Sequence, residues 1–133
     1  MAARLAYLDS SAIVKLVVGE RESEALTSAL KDWPRRVSSV IAEVEVPRAS
    51  QRVEGEPALQ RAERVLDRLA LIELDTEIRR LAVLVEPPTL SSFDAVHLAT
   101  ALSVRDEIGV FLTYDRRLAD AAATAGLPVL SPA

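Results

Sequence analysis

Apolar positions along the chain alternate between short continuous runs and longer stretches with helical spacing. The run "LAYL" at positions 5–8, bounded by polar residues, reads as a buried strand, and 10–18 continues with apolar residues at helical intervals as far as Gly19. A second helix is predicted over 21–31, closed by Trp33-Pro34. Positions 36–38 form the next strand, with Ser39 as N-cap of a helix to about Val53 that ends before Gly55 and Pro57. The pattern then predicts a helix over 57–70, a strand over 71–74 and a helix over 76–85 stopped by Pro87-Pro88. "LSSFDAVHLATAL" opens a further helix reaching about Val104. "VFLTY" at 110–114 is the clearest strand, followed by a helix over 116–125 ended by Gly126 and a last strand over 128–130. Strands that alternate with helices predict an α/β fold with a parallel sheet covered by helices. With no linker, repeat or low-complexity tract, residues 1–133 are expected to form one domain.

Half of the residues are hydrophobic, enough for a substantial core. There is no cysteine, so disulfides and thiolate metal sites are excluded and a cytoplasmic location is expected. The N-terminal residues hold too short an apolar run for a signal peptide or a membrane span. A net charge of −4 and a pI near 5.1 argue against a strongly basic nucleic-acid binder. Nearly all the basic residues are arginine, however, and pairs such as Arg35-Arg36, Arg79-Arg80 and Arg116-Arg117 allow local positive patches.

Acids at strand and helix ends carry the candidate chemistry. Asp9 follows the first strand and Asp115 follows "VFLTY", and in an open parallel sheet ligand sites form beyond the carboxyl ends of strands. Asp94 and one of Glu43 and Glu45 are candidates to join them. Carboxylates converging without nearby lysines repel one another unless a cation lies between them, and oxygen donors select Mg²⁺ or Mn²⁺. Each acid also has a structural role open to it. Asp9 or Ser10 can cap the first helix, Asp115 can cap the helix that follows it, and Ser91-x-x-Asp94 matches a capping box. Glu43 and Glu45 interrupt an apolar stretch where no cap is needed and point about 200° apart on a helix, so at most one faces a common site. His97, the chain's single histidine, lies one turn after Asp94 and reads as a core residue or a support rather than a catalytic group. Ser10, Ser11 and Ser39 lack a nucleophile elbow, and no glycine pattern for phosphate binding is present.

Four segments in order, "YLDSSAIVKLVVGE", "VSSVIAEVEVPRA", "SSFDAVHLATAL" and "LTYDRRLADAAATAGLPV", resemble the PIN-domain ribonucleases of the VapC toxin group over essentially the whole chain. The resemblance implies a three-layer α/β/α sandwich around a mostly parallel sheet. It also implies an acidic Mg²⁺ or Mn²⁺ site, endonucleolytic cleavage of RNA, a VapB-type antitoxin partner and a homodimer. The family's acids fall on Asp9, on Glu45 three residues before Arg48-Ala49 (Glu43 being the weaker match), on Asp94 and on Asp115, with Thr113 as a polar neighbour. Pro47 is expected to kink the helix that carries Glu45. The apolar faces of "AIVKLVV" and of 21–31 suit either an antitoxin helix or the core. Competing readings are a haloacid-dehalogenase-like phosphatase, a flap-type nuclease and a non-catalytic PIN-like protein-binding module. The first would want a second aspartate where Ser11 stands, and the second needs more chain than is present.

Overall fold

A computed structural model describes residues 4–133. Along the chain the elements are β1 (Leu5–Leu8), α1 (Ser10–Val17), α2 (Ser23–Leu30), β2 (Arg36–Ser39), α3 (Ala42–Glu54), α4 (Ala58–Leu66) and β3 (Ala70–Ile72). They continue with α5 (Thr76–Leu84), α6 (Ser92–Ser103), a single 3-10 turn at Arg105–Glu107, β4 (Ile108–Leu112), α7 (Arg116–Thr124) and β5 (Val129–Leu130). The strands form one sheet in the order β3-β2-β1-β4-β5, with every pairing parallel.

Strand order explains the layering. From β1 the chain steps outward through β2 to β3, then returns to the opposite side of β1 to lay down β4 and β5. Parallel crossovers keep one hand, so reversing the direction of travel moves the connecting helices to the other face. Accordingly Ala6, Leu8, Val110 and Leu112 pack with α1 to α4 in one core cluster. Leu5, Tyr7 and Phe111 pack with α6 and α7 in the second, joined by Ala82 of α5. This is the three-layer α/β/α sandwich expected. Covered on both faces, β1 is buried at all four positions, which is why it reads as an uninterrupted apolar run. The apolar faces of α1 and α2 point largely inward, with Ile13, Val17, Leu26 and Leu30 in the core. No helix among the described residues is long and apolar enough to cross a membrane.

Several boundaries differ from the periodicity, each for a tertiary reason. Ser39 ends β2 rather than capping α3. Its hydroxyl accepts from the Ile41 amide at 3.2 Å, Val40 still bonds to Ile72 across the sheet, and the helix starts at Ala42. The helix predicted through position 70 stops at Leu66, because Ala70 is drawn into register with Val37. The strand predicted at 110–114 runs instead from Ile108 to Leu112. The chain stays helical through Pro47, in the second turn of α3, at the loss of the intrahelical bond its missing N–H would have made.

Gly109 hid the true start of β4. Pairing jumps from Leu5–Ile108 to Ala6–Val110, leaving Gly109 as an extra residue in a bulge. The Trp33 ring and Arg4 crowd this point, so a Cβ built on Gly109 would sit 2.4 and 2.6 Å from two Trp33 ring carbons and 2.9 Å from the Arg4 Cβ. Gly109→Ala is expected to destabilise the fold by about 1–3 kcal/mol through overpacking, read as a lower denaturant midpoint at unchanged slope.

Candidate active site

The return of the chain places β4 beside β1, so the strand order switches direction between these two neighbours. Their carboxyl ends form the crevice where α/β sheets bind ligands. Leu8 pairs with Leu112, and the next residues leave the sheet side by side: Asp9 donates its amide to the Leu112 carbonyl at 3.1 Å, and the Thr113 hydroxyl donates to Asp9 Oδ2 at 2.6 Å. Asp9 Oδ1 accepts from the Ser11 hydroxyl at 2.7 Å and from the Ala12 amide at 2.9 Å, capping α1. Only 2% exposed, Asp9 is pushed above the ordinary carboxylate range by burial, against the opposing pull of His97, Thr113, Ser11 and the Ala12 amide.

Asp115 caps α7, accepting from the Leu118 amide at 3.1 Å through Oδ1, while its own amide donates to the Thr113 hydroxyl at 3.0 Å. Thr113 thus ties the acids after β1 and β4 together. Asp94 stands in the first turn of α6, with its amide donating to the Ser91 hydroxyl at 3.2 Å. Its carboxyl is pushed up to about 6, first by burial and then by the charges of Asp115 and Asp9, with Ser91 and His97 opposing. Asp94, Asp115 and Asp9 therefore share one electrostatic site. Lys15 does not relieve it, being paired with Glu22 at 3.0 Å and Glu20 at 3.6 Å and lying over the Tyr114 ring.

Of the two glutamates, α3 turns Glu45 inward and leaves Glu43 exposed. Glu45 Oε1 accepts from the Ser10 hydroxyl at 2.6 Å and lies 2.9 Å from His97 Nε2, which is also 3.1 Å from Ser10 Oγ. A carboxylate only accepts, so Nε2 carries the proton. In the neutral ring, Nδ1 then accepts from the Tyr7 hydroxyl, 2.7 Å away. Burial raises the Glu45 carboxyl, but the bonds from His97 and Ser10 outweigh it and hold the group below its usual value. Tyr7 is buried against Phe111 in a parallel ring stack at 5.1 Å. Burial and the charge of Asp9 raise its hydroxyl, which keeps its proton and stays a donor.

Ser10, Ser11 and Tyr7 carry this network although sequence reasoning did not assign them to it. The parity of β1 holds a signal for Tyr7, since residues two apart share a strand face and Tyr7 and Asp9 are so spaced. No comparable signal exists for Ser10, whose partners Glu45 and His97 lie on other elements, while Ser11 bonds Asp9 two residues before it. His97, 1% exposed, is a buried support for Glu45. Among the described residues no three acidic or histidine side chains close into a ready-made metal cage.

Residues 6–124 match the PIN domain family. Ribonuclease VapC46 of Mycobacterium tuberculosis (strain ATCC 25618 / H37Rv) is 45% identical over 126 residues, covering 95% of this chain and 96% of the relative. Ribonuclease VapC35 of Mycobacterium tuberculosis (strain CDC 1551 / Oshkosh) is 42% identical over 132 residues, with the same coverage of each chain. Among solved structures, a toxin-antitoxin complex from Klebsiella pneumoniae matches with a TM-score of 0.71 at 27% identity, over 96% of this chain and 98% of the other. Mycobacterium tuberculosis VapC20, a Sarcin-Ricin loop cleaving toxin, shares the fold with a TM-score of 0.77 at 17% identity, over 96% and 99%. With its acids set around the β1–β4 crevice, the chain belongs to the PIN-domain family, among the VapC-type ribonucleases.

Proposed function

We propose that residues 1–133 act as one catalytic unit, a Mg²⁺- or Mn²⁺-dependent endoribonuclease that serves in the cytoplasm as the toxin of a VapBC-type pair, binds a VapB-type antitoxin and forms a homodimer. The observation that carries the catalytic part is the Asp94 carboxyl in the first turn of α6, pushed up by burial and then by the charges of Asp115 and Asp9, which a hard cation beside them would offset. The donors suit such an ion: they are carboxylates, the chain has no cysteine, and the single histidine is occupied by Tyr7 and Glu45. The open arrangement of the acids suits it too, since Mg²⁺ usually takes one or two protein carboxylates and fills its shell with water and phosphate oxygens.

In this reading Asp9, Asp94 and Asp115 hold the ion, and Glu45 is a further ligand or the base that orients water. When bound, the ion offsets charge on the phosphoryl oxygens and makes a nearby water more acidic. The chain's residues supply the geometry. Thr113 and Ser11 hold the Asp9 carboxylate in place, and Thr113 aligns the start of α7 so that Asp115 faces the same crevice. Ser10 and His97 tie down Oε1 of Glu45, and with its pKa held low the carboxylate stays ionised, able to hold an ion or to accept a hydrogen bond that orients the attacking water.

Purified protein incubated with total and transfer RNA is expected to cut in Mg²⁺ or Mn²⁺ and not in EDTA, with Asp94→Asn inactive. Folded, antitoxin-free protein that cuts under neither metal would favour the binding-module reading, and preference for a small phosphomonoester would favour a phosphatase.

Metal-free stability should follow the raised Asp94 carboxyl. With a folded value of about 6 against the ordinary 3.8, this group costs nothing when protonated in both states. Its penalty grows as pH rises between the two values and is complete above the folded one. In EDTA, Asp94→Asn should therefore melt at or above the wild-type temperature at neutral pH, and the difference should shrink as pH falls below about 5. His97→Leu removes the support of Glu45 and is expected to lower kcat by about 10–100-fold with little change in KM, measured by steady-state RNA cleavage.

A further inference from the structure

A groove of about 410 Å³ opens between α1 and α3, with Ser10 of α1, Val44, Glu45, Arg48 and Arg52 of α3 and Phe93 of α6 in its lining. Its volume lies within the range of pockets that hold small organic groups, about 300–1,000 Å³. Its arginine and aromatic groups come from two helices. On α3, Arg48 and Arg52 stand three and seven positions after Glu45, on the same helical face. On α6, Phe93 immediately precedes Asp94.

Neither core cluster includes Phe93, which is 55% exposed. Tyr7 and Phe111 are fully buried, and Trp33 and Tyr114 are partly buried against the core. Phe93 is thus the aromatic ring left for a ligand. Val44, 60% exposed, adds a second apolar surface. Neither Arg48 nor Arg52 makes a hydrogen bond or ion pair among the described residues, whereas Arg36 and Arg61 are both engaged in the fold.

We propose that this groove is a nucleotide subsite that takes one unstacked base of a single-stranded RNA on Phe93 and an adjoining backbone phosphate on Arg48 and Arg52. The inference rests on the ribonuclease reading and adds the site that holds the strand next to the scissile phosphate. Charge complementarity selects the occupant. The groove joins apolar surface to the guanidinium groups of Arg48 and Arg52, and a nucleotide carries both an apolar face and an anion at short range. A base already stacked in a duplex cannot reach the ring, so the groove also favours unpaired segments of RNA over continuous duplex. Stacking on Phe93 is sequence-tolerant, since every base offers a π face.

The test uses fluorescence anisotropy of a fluorescein-labelled single-stranded oligoribonucleotide of mixed sequence, with the same sequence as duplex for comparison. Asp94→Asn serves as the background so that the probe is not cut, and cleavage of the same probe by the wild-type protein in Mg²⁺ is the control. Phe93→Ala is expected to raise Kd for the single strand about tenfold, and Phe93→Trp to keep it. Arg48→Gln and Arg52→Gln should each weaken binding and reduce the slope of log Kd against log salt by about 0.7 for each phosphate no longer neutralised. Duplex binding should respond little to Phe93→Ala. If wild type cuts the probe while all these variants leave affinity and salt slope unchanged, the subsite is overturned and the ribonuclease reading stands. The subsite is equally overturned if Phe93→Ala alters only the oligomeric state in light scattering, which would mark the groove as an interface between copies. If wild type neither binds nor cuts RNA, both readings fall.

Discussion

Parallel pairing of β1 with β4, in the register that sets Leu8 beside Leu112, is the constraint on which the site depends. It releases Asp9 and Thr113 from the sheet side by side, and the bond between them joins two segments that lie far apart in the chain. A one-residue slip would turn every side chain on one strand to the opposite face and separate the pair. The buried faces of the two strands oppose that slip. Leu8 and Leu112 belong to one core, Tyr7 and Phe111 to the other.

Capping and site formation are one arrangement here. Asp9 starts α1 and Asp115 starts α7, each using one carboxylate oxygen to satisfy an amide that the helix leaves without a partner. Helix N-termini favour negative charge, which helps the fold tolerate acids so close together. The compensation is incomplete, because Asp94 still carries a carboxyl pushed up to about 6 by burial and by its neighbours.

Glu45 is managed differently from the three aspartates. Its helix starts without a side-chain cap, and its carboxylate is fixed instead by hydrogen bonds from α1 and α6. The chain from Phe111 through Tyr7 and His97 to Glu45 runs from the interior to the crevice, so the packing of an aromatic stack is transmitted to the orientation of one carboxylate. A buried polar chain of this kind is stable because the ring nitrogens and the Tyr7 hydroxyl all have partners.

Periodicity sufficed to order the helices and strands, because each buries one face or two and leaves that pattern in the chain. The same residues showed that acids end β1 and begin α6 and α7. That Asp9 and Asp115 meet was expected from their places after parallel strands, the resemblance named Asp94 and Glu45 with them, and the strand order supplies the physical cause for the first pair. What periodicity misplaced was set by partners distant in sequence: β4 began earlier than its apolar run because Gly109 sits in a bulge against Trp33, and α4 ended early because Ala70 pairs with Val37. Resemblance separated Glu45 from Glu43 in the sequence, but the hydrogen bonds that hold Glu45, and the burial of His97 behind it, depend on residues that meet only in the folded chain. Local pattern is written by which face each residue buries, whereas the aim of a buried polar side chain is decided by the neighbours that tertiary packing brings to it.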